Sequence, residues 1–192
     1  MENPIRQLQS FWKKAHQKKE ATADYLSLAT IDARRKPHVR TVLIKSLDHR
    51  GIGFVCNKKG PKVEQFSKAP VECCLVWPKQ HLQVRIAGKI KPMPKAQIKT
   101  LWKMRPREAQ ILYSLGLPQS MPIPSYEFLI REVTKLAIRW RRKKTIPLSP
   151  YYTGFIVEPT MVEFLHHNPS RLNKRENFQK RSGGWQKTIL AP

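Results

Sequence analysis

The chain has 192 residues, 40% of them hydrophobic, enough to bury a core in one domain. Lys and Arg number 37 against 13 Asp and Glu, a formal charge of +24 that predicts attraction to phosphates, nucleic acid or acidic membrane surfaces without choosing among them. No apolar run approaches the ~20 residues of a membrane span, and Cys56, Cys73 and Cys74 form neither a Cys-x-x-Cys pair nor an even set. Neither a disulfide framework nor a zinc site is therefore suggested, and a cytoplasmic protein with reduced thiols is expected.

Ile5, Leu8, Trp12 and Ala15 recur at spacings of three and four, which predicts an amphipathic helix within residues 1–20. "YLSLATID" and "HVRTVLIK" alternate as half-buried strands, and Asp48 and Gly51 mark a turn that pairs "VRTVLIK" with "IGFVC" as a hairpin. "VECCLVW" and "LQVRIAGKI" add two strands joined by "PKQH". Short connections between such strands favour an antiparallel barrel or sandwich. From Pro94 the period changes, and residues 94–144 read as a helical insertion in three pieces, "PKAQIKTLWKM", "REAQILYSLG" and "PSYEFLIREVTKLAIRWRRKK". Leu129, Val133, Leu136 and Trp140 share one stripe of the last piece, a core-packing face. Residues 150–192 return to strand patterns in "YTGFIVE", "MVEFLHH" and "GWQKTIL". The order describes a single α+β domain.

The sequence contains no dinucleotide fingerprint, phosphate loop or His-Glu-x-x-His pair. His166 and His167 are adjacent in a strand pattern and so face opposite ways, which argues against joint chelation; no metal is expected. Carboxylates are sparse, so the candidate chemistry is cationic and amide: Arg40, Lys45, Lys62, Gln83, Arg105, Gln119, Arg171 and Arg175. Arg40 and Lys45 have odd separation, which sends them to opposite faces of a regular strand unless a bulge intervenes. "SRLNKR", residues 170–175, puts three cations and an amide into one loop.

Taken in order, "RTVLIKSLDHRGIGFVCN", "LQVRIAGKI", "RPREAQI", "QS" at 119–120, "VEFLHHNPSRLNKR" and the terminal "LAP" resemble the pyridoxine/pyridoxamine 5′-phosphate oxidases. The resemblance implies an FMN-binding split β-barrel, antiparallel and Greek-key-like, with peripheral helices, and a homodimer with FMN at its interface. It implies that Arg40 and Lys62 hold the FMN phosphate, that Lys45 lies beside the flavin and the substrate phosphate, and that Gln83 bonds the isoalloxazine edge. Gln119, Ser120, Tyr152 and Arg175 would reach the cofactor from the second subunit. Arg105 would bind the substrate phosphate, and Arg171 would stack over the substrate ring and, with Lys45, act in catalysis. Guanidinium and ammonium groups match a phosphate's charge, and amides read a flavin edge without titrating.

The pattern breaks in several places. Asn173 replaces the motif's His, beside the substrate, and an amide carries no exchangeable proton near neutral pH. Leu101 stands for a Tyr and Ala109 for a Ser among the substrate-phosphate ligands, leaving Lys45 and Arg105. At about 1.5–3 kcal/mol per charged hydrogen bond, the two losses weaken phosphate-ester binding by roughly two to four powers of ten. Gly60 and Pro61 precede Lys62 where the family has Ser-Arg, Cys56 replaces a Thr, and Tyr152 replaces a Trp.

Three readings follow. The first is an oxidase that passes a hydride from C4′ of pyridoxine or pyridoxamine 5′-phosphate to flavin N5, with reoxidation by dioxygen. The second keeps FMN but takes a different, less polar substrate, or has lost the vitamer activity. The third, of lower weight, is nucleic-acid binding through "RWRRKK", Arg139 to Lys144, at a helix end.

Overall fold

The computed structural model describes residues 2–66, 69–117 and 119–192, which resolve into two compact units. The first comprises residues up to Phe54, Gln65–Lys91 and Phe155–Pro192; the second comprises Val55–Glu64 and Pro92–Gly154.

The first unit opens with helix α1 (Pro4–Gln17), capped by the Asn3 side chain, which accepts from the Ile5 amide at 2.9 Å. Ile5, Leu8 and Ala15 are buried, as their spacing requires. Strands β1 (Tyr25–Ile31), β2 (Pro37–Asp48), β3 (Gly51–Asn57), β4 (Val71–Trp77), β5 (Leu82–Pro92) and β6 (Tyr152–His166) follow in the order β3-β2-β1-β4-β5-β6. A further pairing of β3 with β6 closes these six into a barrel, and β7 (Lys174–Arg181) and β8 (Gly184–Leu190) extend the sheet from β6. This is the antiparallel split barrel that the resemblance implies.

Alternation sets what faces inward. Leu26 and Leu28 of β1, Val42 and Ile44 of β2, and Val84 and Ile86 of β5 fill the core with Phe54, Trp77 and Phe164. Gly51 sits where β3 passes β6: its φ of +133° suits glycine alone, and a Cβ there would lie 2.0 Å from the Val157 carbonyl oxygen.

Two strand readings need correction. The expected pair "YTGFIVE" and "MVEFLHH" is one strand, β6, running through Pro159, which removes a single donor. The stretch Lys174–Arg181, with one large apolar residue, Phe178, is a full strand bonded on both sides, to β6 and β8. It lacks the usual alternation because Glu176 and Asn177 are buried along with Phe178.

The second unit carries a four-residue helix, α2 (Lys62–Gln65), most of which lies in it, and helices α3 (Lys95–Lys103), α4 (Arg107–Ser114) and α5 (Tyr126–Trp140), near the three expected pieces. Its core gathers Trp102, Ile111, Ile146 and Tyr152. Val133, Leu136 and Trp140 of α5 pack against that cluster, the role expected of their stripe.

Candidate functional site

In the barrel unit, Arg40 lies in phase with Val42 and Ile44 on the inner side of β2, half-buried. Its guanidinium donates to the Leu28 carbonyl at 3.3 Å, to Gln65 Oε1 at 2.9 Å and to Thr30 Oγ1, while Thr30 donates to the same Gln65 oxygen at 2.6 Å. All these partners are neutral oxygens. Burial pulls the Arg40 pKa below its ordinary value, the cost of a desolvated cation with no carboxylate paired to it among the described residues.

Lys45 is exposed and falls where the β2–β3 register shifts between Ile44 and Ser46, so it is the extra residue of a bulge. The bulge resets the inward phase for Leu47 and leaves Lys45 pointing away from the Arg40 side. Gln83 on β5 is half-buried and pairs with the exposed Val76 of β4. Lys45 and Gln83 therefore belong to the outer sheet face and Arg40 to the inner.

The loop between β6 and β7 closes on itself. Asn168 Oδ1 accepts from the Ser170 amide at 3.0 Å and hydroxyl at 2.8 Å, and its carbonyl accepts from the Arg171 amide at 2.8 Å. Asn173 Oδ1 accepts from the Asn168 amide at 2.9 Å, tying the two ends together. Arg171 is held at φ +62°, a left-handed conformation that costs a non-glycine residue about 1–2 kcal/mol. Its side chain is exposed. Arg175, the second residue of β7, is held within the chain: Nε and one terminal nitrogen donate to Glu163 Oε1 at 3.1 and 2.9 Å, and the other reaches the Ala191 carbonyl at 3.1 Å. Glu163 is 3% exposed, and Arg85 lies 3.6 Å from its second oxygen.

In the helical unit, Lys62 is buried and its ammonium donates to Gln119 Oε1 at 2.7 Å. The turn before it is built by Asn57, whose Oδ1 accepts from the Lys59 amide at 2.8 Å and whose carbonyl accepts from the Gly60 amide at 3.0 Å. A Cβ at Gly60 would lie 3.3 Å from both Lys62 Nζ and Gln119 Oε1, so glycine lets the turn pack closely on that pair. Gln119 and Ser120 edge a largely apolar cavity of about 300 Å³ with Tyr113, Leu117 and Met121. The Arg105 guanidinium carbon stands 4.6 Å from the Tyr113 ring centre and 5.6 Å from that of Tyr152, a cation–π arrangement. Burial raises the Tyr113 phenol to about 12 and also raises Tyr152, with Arg105 opposing both. Tyr152 is 5% exposed, its ring packed on Trp102 and Tyr113, a core position with no free aromatic face.

The structure thus brings Lys62 to Gln119, Arg105 to Tyr152, and Arg171 to Asn173. Thr30, Gln65 and Glu163, which hold Arg40 and Arg175, were not singled out in the sequence. Thr30 carries the inward parity of Leu28, a readable signal, whereas Gln65 carries none.

Residues 12–139 match the family model for pyridoxamine 5′-phosphate oxidase, and residues 152–192 match the pyridoxine 5′-phosphate oxidase C-terminal dimerisation region. A pyridoxine/pyridoxamine 5′-phosphate oxidase of Anaeromyxobacter dehalogenans is 34% identical over 90% of this chain and 86% of its own length. One from Hyphomonas neptunium is 30% identical over 100% and 88%. Among solved structures, PhzG from Burkholderia lata 383 superposes with a TM-score of 0.90 at 23% identity, covering 99% of this chain and 93% of that one. A pyridoxamine 5′-phosphate oxidase-related, FMN-binding protein from Nostoc punctiforme gives 0.75 at 16% identity, with full coverage of both. The chain belongs to the pyridoxamine 5′-phosphate oxidase family of FMN-binding oxidoreductases.

Proposed function

We propose that the protein is an FMN-dependent oxidase of pyridoxine or pyridoxamine 5′-phosphate that works as a homodimer. The observation that carries the cofactor part is Arg40: a half-buried guanidinium among neutral oxygens is a cation prepared for a phosphate. When bound, FMN would supply the redox chemistry, a two-electron acceptor for the substrate that dioxygen regenerates.

Each side chain then has a stated task. Arg40 and Lys62 neutralise the FMN phosphate, Gln83 bonds the flavin edge, and Ser120 lies toward the cofactor from its loop. Gln119 aims the Lys62 ammonium through their 2.7 Å bond. Lys45 and Arg105 bind the substrate phosphate. Arg171 covers the substrate ring, and Asn173 fixes the loop that presents it, without moving a proton. Arg175 positions the C-terminal strands through Glu163, and Tyr152 supports Arg105 from the core. Support for the dimer comes from the match of residues 152–192 to a dimerisation region and from the exposed apolar side chains of Tyr25, Val39, Leu43 and Val76 on the outer sheet face.

A second reading, an aromatic substrate without a phosphate ester, is favoured by Leu101 and Ala109, both half-buried and unable to bind phosphate through a side chain. PhzG, solved with tetrahydrophenazine-1-carboxylic acid, shares the fold. Anaerobic reduction of the FMN-loaded protein separates the two. Flavin bleaching by pyridoxine 5′-phosphate at a far lower concentration than by pyridoxine supports the first reading. Equal response to both, or to neither, overturns it and leaves the second.

A further inference from the structure

The helical unit holds a second concavity, of about 750 Å³, whose cationic lining apart from Arg105 the proposed reaction does not use. Lys99 and Lys103 of α3, Arg107 at the start of α4, and Lys144 line it over a floor of Trp102 and Ile146. Between residues 92 and 154 there are twelve Lys and Arg against three Glu, and no carboxylate lines this pocket. Among the described residues, none of the three lysine side chains has a hydrogen bond or an ion pair, and all three residues are exposed. Arg107 is half-buried and oriented by a 2.5 Å bond from its guanidinium to the Trp140 carbonyl.

The floor is rigid. Trp102 Nε1 donates to the Ile146 carbonyl at 3.0 Å, which pins the segment carrying Lys144 against α3, and Gln110 Nε2 donates to the Trp102 carbonyl at 2.6 Å. The pocket meets the expected substrate-phosphate site only at Arg105. Lys99 and Lys103 are one helical turn apart, whereas Leu101 lies about 160–200° around α3 from them, and neither Leu101 nor Ala109 lines the pocket. Arg105 lines one edge, with its guanidinium carbon 4.6 Å from the Tyr113 ring centre. Like charges gathered around one concavity without a counter-charge repel one another, and an anion seated among them relieves that repulsion.

We propose that this pocket is a second anion site, for a small organic phosphate bearing more than one negative charge, its apolar part on Trp102 and Ile146. Concavity and volume favour a small ligand, because a site of a few hundred to 1,000 Å³ encloses one, whereas a duplex requires an extended convex or grooved surface. This assigns the end of the run Arg139 to Lys144 to a ligand rather than to solvent.

The test is calorimetric titration of the FMN-loaded protein with pyrophosphate at 150 mM salt, for wild type and for the triple variant Lys99→Glu/Lys103→Glu/Lys144→Glu. These lysines are exposed, so the variant keeps its fold, and unchanged FMN affinity verifies that. Saturable binding to wild type that weakens at least tenfold in the variant is expected. No saturable binding to wild type, or equal binding by both proteins, overturns the site. A 20-nucleotide single-stranded DNA that binds wild type far more tightly than pyrophosphate and is lost in the variant would also overturn it, in favour of a nucleic-acid surface.

Discussion

Lys62 has its place because Gly60 has no side chain. On the proposed function, in which the Lys62 ammonium is a counter-charge of the FMN phosphate, Lys62→Ala should weaken FMN about ten- to 150-fold, the equivalent of about 1.5–3 kcal/mol for a charge-assisted hydrogen bond, as read by flavin fluorescence quenching. Asn173 acts differently, through the loop it closes. Asn173→Ala should slow substrate-dependent flavin reduction while FMN affinity stays the same, and a parallel loss of both would show that the loop serves the cofactor instead. The thiols supply an independent check on burial. Burial pushes Cys56 up to about 11 and raises Cys73 further, so both stay protonated at pH 8. Each should react with a thiol reagent only after denaturation.

At the scale of elements, the strand β7 shows where sequence patterning stops. Strands β1 to β5 were legible because Leu26, Leu28, Val42, Ile44, Val84 and Ile86 alternate with polar or exposed neighbours. Strand β7 buries Glu176, whose carboxylate lies 2.6 Å from Lys187, 3.1 Å from Lys174 and 3.4 Å from His166. Burial alone would raise this carboxyl, but hydrogen bonds from the two lysines outweigh it and hold the pKa below its ordinary value. A depressed carboxyl stabilises the fold above its unfolded value, near ~4.3, and that contribution disappears as pH falls through the folded value. Glu176→Gln should therefore be less stable than wild type at pH 7 and converge with it in acid, measured as urea midpoints from pH 7 down to pH 3. Parallel curves would contradict the assignment. The same polar strand explains why Arg175 read as a ligand: its partner Glu163 lies on β6, two positions from Leu165, the residue paired with Arg175, and only that pairing reveals the contact.

For the whole molecule, the family motifs specified the barrel and proposed a cationic set, because short segments in a fixed order carry fold information even where each alone is weak. They did not specify which cations are already engaged. Arg40 is bound by Thr30 and Gln65, ten and 25 positions away in sequence, and such a cage exists only once the chain has folded. The exposed apolar residues of the outer sheet face make a prediction at this scale. Leu43→Glu places a charge among Tyr25, Val39 and Val76 and should shift the protein from dimer to monomer in sedimentation, with the barrel intact by circular dichroism.

The proposed function depends most directly on Arg40, the cation that the barrel holds among neutral oxygens for the FMN phosphate. Titrating wild type and Arg40→Gln with FMN tests it directly: one FMN per chain should bind wild type, and the variant should bind at least tenfold more weakly with its fold retained. Wild-type protein that fails to quench flavin fluorescence, or a variant that binds as tightly as wild type, would contradict the account.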